Sequence, residues 1–259
     1  MTKRAAYHVA DFRDPAAEVA RLRSQAAVVA SAEERTLDAL GFPREGLVLD
    51  LGCGPGFVAA RLRASRPDLR IVGVDTDRAT LREAPVLRVV AAADRLPFAS
   101  AVFSAAFARL VLRHVPEPER SVRELARVVM PRGRVLLADS DDGTVAVHPE
   151  PDGFARVLAA RSQTYARRGG EPRMARRLFH LLVDAGLCEV QAEPLVVSSA
   201  LIGPAAFAAV VLAPLVDVVD EDLMPRAEVD DVAAAVRRWG QRRDVFGMTT
   251  AVVAGGVKP

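Results

Sequence analysis

The stretch that most constrains this chain is residues 48–56, which read V-L-D-L-G-C-G-P-G. An apolar run ends at Asp50, and three glycines then alternate with Cys53 and Pro55. The apolar run is typical of a buried parallel strand, and the glycines allow a sharp turn because they carry no Cβ. A ligand can then approach the main chain closely and meet the free N–H groups at the start of the next helix. The residues expected at this ligand are Asp50, Gly52, Gly54 and Gly56.

A second acidic strand end supports this interpretation. Residues 70–77 read R-I-V-G-V-D-T-D, which predicts a second strand closing on Asp75. An acid at this point of a βαβ unit accepts hydrogen bonds from both hydroxyls of a ribose. The glycine spacing is one residue tighter than the G-x-G-x-x-G of dinucleotide-binding proteins. The glycine run and Asp75 together match one cofactor geometry.

This pattern is that of the class I S-adenosylmethionine (SAM) methyltransferases, which the chain resembles over about residues 7–190. Three further stretches carry the resemblance: L-P-F at 96–98, L-R-H-V-P at 112–116 and L-A-R-V-V-M-P-R-G at 125–133. An N-terminal helix with Glu18, Arg21, Leu22 and Gln25 is similar to one that folds over the cofactor in relatives. The most similar group comprises small-molecule methyltransferases of ubiquinone and menaquinone biosynthesis and of natural-product tailoring. The resemblance implies SAM as cofactor, bound by Gln25, Asp50, Gly52, Gly54, Gly56, Asp75, Thr76, Ala93, Asp94 and Arg109.

Two positions depart from the family pattern. At the head of the fourth strand, Phe103-Ser104 replaces the usual Phe-Asp, which is expected to affect only loop structure. The other departure concerns the adenine. The family usually has an Asp four residues before the Leu of L-P-F, where it bonds the adenine amino group, and this chain has Ala92 there. Either Asp94 takes over from a shifted loop, or the Ala93 backbone and packing alone hold the adenine. The departure weakens the expectation of strong cofactor binding without removing the site.

Catalytic residues are expected at the carboxyl ends of the fourth and fifth strands, where an open α/β sheet forms its crevice. The methyl group of SAM is already electrophilic, so the protein must hold a nucleophile in line with it and exclude water. In the natural-product O-methyltransferases that this chain resembles, a His and an acid at these places assist deprotonation. This implies His114 as general base and Asp139 as its orienter or as a substrate acceptor. A capping or packing role for His114 is the alternative.

Neighbouring polar residues have plainer interpretations. Asp141, Asp142 and His148 are expected in a polar turn, with contact between one of them and the substrate as the alternative. Tyr165 could line the acceptor pocket, and a surface position is the preferred interpretation. The apolar stretch 207–219 is expected to be core or a wall of the acceptor pocket.

Helix and strand signals alternate along the chain as a doubly wound sheet requires. We expect an α/β fold with a Rossmann-like, mostly parallel seven-stranded sheet, helices on both faces, an N-terminal helical lid and a helical insertion. A helix is expected from about Pro15 to Ala39, and the fifth strand over Arg134 to Ala138, ending in Asp139. The chain is expected to form one domain, 1–259, divided into a lid (1–42), a SAM-binding core (43–200), an acceptor-side insertion (201–243) and a final strand with tail (244–259).

Composition limits which classes of protein this chain can belong to. A chain of 259 residues that is 51% hydrophobic can bury a large core and suits one elaborated domain. Its 35 basic residues, all arginines except Lys3 and Lys258, are spread among 33 acidic ones, which favours a solvated surface over nucleic-acid binding. Cys53 and Cys188 lack metal-ligand spacing and give no disulfide framework, so no metal is expected.

The expected partner is a small-molecule acceptor, with no nucleic acid and no membrane span, and a homodimer is left open. The sequence shows no apolar stretch of signal-peptide or membrane-spanning length, so a cytoplasmic location is expected. The expected function is SAM-dependent methyl transfer to a small, largely apolar metabolite, with O-methylation in a natural-product or quinone-type pathway favoured. The alternative is a SAM-binding cyclase, pericyclase or binding module that transfers no methyl group. Acceptor identity does not follow from the sequence.

Overall fold

A seven-stranded sheet organises the chain in the computed structural model, which describes residues 9, 14–82, 84–217 and 219–259. The strands are β1 (Gly46–Leu51), β2 (Leu69–Asp75), β3 (Leu87–Val90), β4 (Phe103–Arg109), β5 (Val129–His148), β6 (Cys188–Ser198) and β7 (Phe246–Val257). Their order is β3-β2-β1-β4-β5-β7-β6. β7 runs antiparallel to β5 and β6, and the other pairs are parallel. The predicted doubly wound, mostly parallel sheet is therefore confirmed.

Helices follow most strands and cover both faces of the sheet. They are α1 (Pro15–Val28), α2 (Ala30–Ala39), α3 (Phe57–Ser65), α4 (Arg78–Leu81), α5 (Pro118–Val128), α6 (Phe154–Arg168), α7 (Leu178–Asp184), α8 (Ser199–Ile202), α9 (Pro204–Phe207), α10 (Ala213–Asp217) and α11 (Arg226–Gly240). A 3₁₀ turn (Leu112–His114) follows β4, and a π-helical turn (Ala208–Leu212) joins α9 to α10. Within the described part of the chain, no helix has the length and apolar character needed to cross a membrane.

Burial on both faces of the sheet explains why the central strands are continuously apolar. Leu49 of β1 packs into the core on one face together with Phe103 of β4. Val48, one residue earlier, points to the other face and packs with Phe107. The order of the strands changes direction between β1 and β4, and this switch point opens a crevice at their carboxyl ends.

A third apolar core lies between the helices after β5. Phe154 of α6, Phe207 of α9 and Trp239 of α11 are fully or almost fully buried in it. The Trp239 indole N–H donates a hydrogen bond to the Pro149 carbonyl at 2.9 Å, so its single polar group is satisfied. This helical cover includes the predicted insertion 201–243 and also α6, which precedes it in the chain.

The predicted N-terminal helix is divided in two. The chain leaves helical geometry at Val29, whose φ of −104° and ψ of 4° separate α1 from α2. Residues 1–8 and 10–13 of the predicted lid lie outside the described residues. The helix predicted over Pro15 to Ala39 is therefore two helices, α1 and α2.

The prediction for the fifth strand is wrong at both ends. β5 runs from Val129 to His148, so Asp139 lies within it and does not end it. The polar turn expected at Asp141, Asp142 and His148 is likewise a strand, with Asp141 paired to Thr250 and His148 to Phe246. The register shifts between Asp141 and Ala146, which places a bulge there. The physical reason is β7, because its antiparallel pairing continues the hydrogen-bond ladder past the point where the parallel sheet stops.

Candidate cofactor and acceptor site

One cavity of about 340 Å³ lies at the carboxyl ends of β1, β2, β4 and β5. The glycine turn after β1 lines one end, and α6 with the π-helical turn lines the other. Most of the predicted site residues line it: Gln25, Asp50, Gly52, Gly54, Asp75, Thr76, Ala93, Arg109, His114 and Asp139. Gly56 and Asp94 do not.

The glycine turn is built around three positive φ angles that favour glycine. Gly52, Gly54 and Gly56 have φ values of +67°, +49° and +77°. A Cβ on Gly52 would lie 2.0 Å from a methyl carbon of Val111, whereas a Cβ on Gly54 would meet nothing within 4 Å. Gly54 therefore borders open space in the cavity, where a ligand can approach the backbone. A Cβ on Gly56 would instead lie 2.8 Å from the Ala84 Cβ, and Gly56 is the N-cap of α3, so its contribution is to the turn.

Asp75 joins the second strand to this turn. Its Oδ2 accepts a hydrogen bond from the Gly54 N–H at 2.8 Å, and its Oδ1 accepts one from the Asp77 N–H at 2.9 Å. The side chain also lines the cavity. Each carboxylate oxygen can accept a second bond, so the group can still receive donors from a ligand.

Asp50 is a buried carboxyl with unused bonding capacity. The residue is 4% exposed, and its Oδ2 is buried with no hydrogen-bond partner among the described residues. Burial raises the pKa of Asp50 to about 7; the negative charge of Asp75 adds to this rise and the positive charge of Arg109 opposes it. An uncompensated carboxyl at the cavity wall favours a ligand that brings positive charge or a hydrogen-bond donor.

Arg109 reaches the cavity from the end of β4 and is held by a residue that the sequence analysis missed. Its Nε donates to Glu33 of α2 at 2.6 Å, and Arg61 of α3 donates to the same carboxylate at 2.5 Å. Burial raises the pKa of Glu33, but the two guanidinium groups outweigh it and hold the pKa below its usual range. The spacing of Glu33 within α2 resembles that of a solvated surface acid, so nothing in the sequence identifies it.

Two alternatives were left open at Ala92, contact with adenine through Asp94 or through the Ala93 backbone. Ala91 and Ala93 line the cavity. Asp94 lies outside the lining, and its nearest cationic partner is the Arg120 guanidinium at 3.8 Å. The geometry thus favours contact through the backbone and packing at Ala93 over a side-chain bond from Asp94.

His114 and Asp139 both line the cavity. The hydrogen bonds of the described residues do not include one between them. The Asp139 carboxylate accepts from the Arg113 N–H at 3.2 Å and from the Ser140 N–H at 2.9 Å. Burial raises its pKa to about 6, against the charge of Arg113 and these two bonds. Its bonds therefore fix the 3₁₀ turn that carries His114, and the imidazole is not oriented by a direct bond from Asp139.

A buried polar cluster beside His114 was missed, and we call Arg113, Asp142, Arg161 and Tyr165 the arginine–tyrosine cluster. Asp142 accepts from Arg113 at 2.7 Å and from Arg161 at 2.9 Å. Burial raises the pKa of Asp142, and the two arginines outweigh it and lower the pKa overall. Tyr165 is 2% exposed and lines the cavity, so the preferred interpretation as a surface residue is wrong. The cluster joins the 3₁₀ turn, β5 and α6, which are separate in the chain, so no short stretch of sequence predicts it.

The far wall of the cavity is apolar. It is lined by side chains from the ends of β5 and β6, from the π-helical turn and from α10: Val145, Val197, Val210, Val211, Pro214 and Leu215. The stretch expected as core or pocket wall supplies both, because Phe207 and Leu212 are fully buried while Val210 and Val211 border the cavity. An acceptor held here contacts mostly hydrocarbon, apart from His114 and the arginine–tyrosine cluster.

Comparison with known sequences links this site to one family. A family described as a methyltransferase domain matches residues 49–137, which hold the glycine turn and Asp75. The ubiquinone/menaquinone biosynthesis C-methyltransferase UbiE of Desulfotalea psychrophila is 35% identical over 107 residues, which are 39% of this chain and 44% of that protein. Methyltransferase GfsG of Streptomyces halstedii is 28% identical over 215 residues, 76% of this chain and 69% of that protein. The chain spans less than half the length of several curated relatives.

Comparison with solved structures concerns the fold. The crystal structure of the (4+2)-cyclase SpnF superposes with a TM-score of 0.56 at 22% identity. The superposition covers 88% of this chain and 82% of that one. The fold is therefore shared beyond the region that the family comparison matches.

Proposed function

We propose that this chain, which belongs to the class I SAM-dependent methyltransferases, transfers the methyl group of SAM to a hydroxyl of a small, largely apolar metabolite. The observation that carries the proposal is that one cavity is lined both by Gly54 and Asp75 and by His114 and the apolar wall. A cofactor bound at one end and an acceptor bound at the other would meet inside the same space.

The residues at the cofactor end fit SAM. Gly54 leaves room at the backbone, and Asp75 can accept from ribose hydroxyls. Asp50 offers a buried carboxyl oxygen, Oδ2, that has no hydrogen-bond partner among the described residues. SAM carries positive charge on its sulfonium and its amino group, which suits a cavity with Asp50 and Asp75 in its wall. The two carboxyl groups, which attract this charge, support SAM over a neutral nucleoside.

At the acceptor end, the protein positions the acceptor, excludes water and provides a general base. SAM, when bound, provides a methyl group that is already electrophilic. His114 lies in the cavity wall and can take the proton of an acceptor hydroxyl. The apolar wall and the helical cover exclude water from the reacting groups, which favours transfer to the acceptor over hydrolysis.

The comparisons support a small-molecule acceptor without naming it. The relative from Streptomyces halstedii aligns over 76% of this chain, including part of the helical cover. The relative from Desulfotalea psychrophila is named a C-methyltransferase and aligns over 39%. The assignment of oxygen as the methylated atom rests on His114, so a test of the proposal has to identify the bond that is formed.

A second candidate function keeps the cofactor and omits the transfer. Two observations favour it: Ala92 replaces the usual adenine-binding acid, and the fold is shared with a protein titled a (4+2)-cyclase. In such a protein SAM would shape the cavity, and the polar cluster would act on the bound molecule directly.

The test is a binding measurement followed by a label transfer. The purified chain is titrated calorimetrically with S-adenosylhomocysteine (SAH), then incubated with SAM carrying a deuterated methyl group and a panel of phenols and enols. Mass spectrometry and NMR locate the label, and Gly54→Val serves as the variant without a cofactor site. Label on oxygen supports the proposal, and label on carbon replaces O-methylation by C-methylation. SAH binding without any transfer supports the second candidate, and no SAH binding contradicts both.

A further inference from the structure

We infer that the Tyr165 hydroxyl donates a hydrogen bond to the acceptor and selects one with a carbonyl oxygen next to the hydroxyl that is methylated. The inference rests on the proposed function, because it concerns the acceptor end of the same cavity. Tyr165 lies on α6, 2% exposed, and its ring centroid is 5.8 Å from that of His114.

The direction of the Tyr165 hydrogen bond follows from its partner. The Arg161 Nη2 donates to the Tyr165 hydroxyl oxygen at 3.1 Å. A guanidinium group has no acceptor, so the hydroxyl oxygen accepts this bond and its own hydrogen must point elsewhere. No hydrogen bond from the Tyr165 hydroxyl to another described residue is present. A buried donor of this kind, in a cavity wall, is available to a ligand.

The arginine–tyrosine cluster fixes where that donor points. The Arg161 guanidinium carbon lies 4.5 Å from the Tyr165 ring centroid, and that of Arg113 lies 5.5 Å from it. Asp142 holds both guanidinium groups, and the Arg161 Nη1 also donates to the Pro214 carbonyl at 2.9 Å. The ring is therefore positioned from α6, β5 and α10 together. The charged Arg161 group, which donates to the hydroxyl oxygen, also strengthens the bond that the hydroxyl donates.

The proximity of His114 defines the class of acceptor. A base and a donor on two neighbouring rings can engage two oxygens of one functional group: His114 the hydroxyl that loses its proton, and Tyr165 the adjacent carbonyl oxygen. In the transfer, the hydroxyl oxygen forms the bond to the methyl carbon and its proton passes to His114. The sulfur–methyl bond breaks with its electron pair staying on sulfur, and Tyr165 keeps its proton throughout. An acceptor without the carbonyl leaves the Tyr165 donor unpaired and is disfavoured.

The test uses two probes that differ only in this oxygen. The chain loaded with SAH is titrated with ortho-hydroxyacetophenone and with ortho-ethylphenol, which replaces the carbonyl by a methylene group. The wild type should bind the ketone about five- to tenfold more tightly, the range of one hydrogen bond. Tyr165→Phe should abolish the preference, because it weakens the binding of the ketone and leaves the affinity for ortho-ethylphenol unchanged.

The controls separate this inference from the proposed function. Thr36→Val removes a hydroxyl that bonds only to the Ala32 carbonyl within α2, and it should keep the preference. Tyr165→Phe should bind SAH as the wild type does. Failure of the wild type to bind SAH contradicts the proposed function. If SAH binds but the wild type shows no preference for the ketone, binds neither phenol, or Tyr165→Phe retains the preference, the role of Tyr165 is overturned.

Discussion

The carboxylate of Asp75 holds the glycine turn in place by accepting a hydrogen bond from the Gly54 N–H at 2.8 Å. Two features that the sequence presents as separate landmarks are thus one physical unit. The same carboxylate lines the cavity, so the group expected to bind the ribose also fixes the loop that faces the rest of the cofactor. Loss of this side chain should therefore affect cofactor binding in two ways.

Asp75→Ala should weaken SAH binding by about 1.5–3 kcal/mol, the scale of lost charge-assisted hydrogen bonds. Calorimetric titration measures the change, and circular dichroism checks that the variant is folded. Asp68→Ala, at an exposed acid just before β2, is the matched control and should bind SAH as the wild type does. An unchanged affinity in folded Asp75→Ala would remove the ribose from this position.

Gly54→Ala should abolish cofactor binding while leaving the fold intact. An added Cβ meets no protein atom within 4 Å and would enter the space where the ligand approaches the backbone. The positive φ of +49° adds a strain of about 1 kcal/mol to the folded state. Thermal unfolding and SAH titration of the same sample separate the two effects.

Gly186→Ala is the control for Gly54→Ala. Gly186 also has a positive φ, +80°, and a Cβ added there would also meet nothing within 4 Å, but it lies outside the cavity. It should show a similar small loss of stability and normal SAH binding. Equal SAH binding by both variants would mean that the glycine turn does not contact the cofactor.

Asp142→Ala should destabilise the fold by about 3–5 kcal/mol, because it leaves the buried Arg113 and Arg161 without their shared carboxylate. Urea unfolding measures the loss. Asp222→Ala removes an equally short aspartate–arginine pair, with Arg167 at 2.6 Å, but on the open surface. The urea midpoint of this control should not change. If the two variants unfold alike, the arginine–tyrosine cluster is solvated and does not hold α6 to β5.

The parts of the site that could be predicted are those set by local chain geometry. Gly52, Gly54 and Asp75 belong to one strand–turn–helix unit and the strand beside it, so their order in the sequence fixes their positions in space. The fold class follows from the same alternation of strands and helices. Cavity contacts for Gly56 and Asp94 do not follow from it. Gly56 packs towards Ala84, and the Asp94 carboxylate lies 3.8 Å from the Arg120 guanidinium.

The acceptor end could not be predicted because it depends on contacts between distant elements. β5 continues past Asp139 only because β7, at the end of the chain, pairs with it. That extension carries Asp142 to Arg161 on α6 and to Arg113 after β4. A run of polar residues such as D-S-D-D-G is typical of a turn until its pairing strand is known. Arginines spread through the sequence likewise give no sign of which two become buried.

Asp50 should make the fold less stable as the pH rises towards neutrality. Burial raises its folded-state pKa from 3.8 to about 7, so the folded chain holds a proton that the unfolded chain releases. The stability due to this group is complete below pH 3.8 and is lost as the pH rises to about 7, by up to about 4 kcal/mol. Asp139, with a pKa of about 6, acts in the same direction but has mostly ionised above that value. The two pKa values set the informative range at pH 6 to 7. In this range the free energy of unfolding in urea should depend less on pH for Asp50→Asn than for the wild type. An equal dependence on pH would contradict the raised pKa of Asp50.

His114→Ala should lower the rate of methyl transfer by about 10²- to 10⁴-fold if the imidazole takes the proton of the acceptor. SAH affinity should barely change, because the cofactor end of the cavity is formed by other residues. Single-turnover rates across the pH range should show an acidic limb in the wild type that is absent in His114→Ala. Burial raises the pKa of Asp139 to about 6, so this carboxyl could produce a limb of its own. Asp139→Asn distinguishes the two groups as the source of the acidic limb. If His114 is the base, this variant should transfer the methyl group more slowly but keep the fall in rate at acidic pH. Parallel profiles for the wild type and His114→Ala, offset by a small factor, would leave positioning and exclusion of water as the whole contribution of the protein.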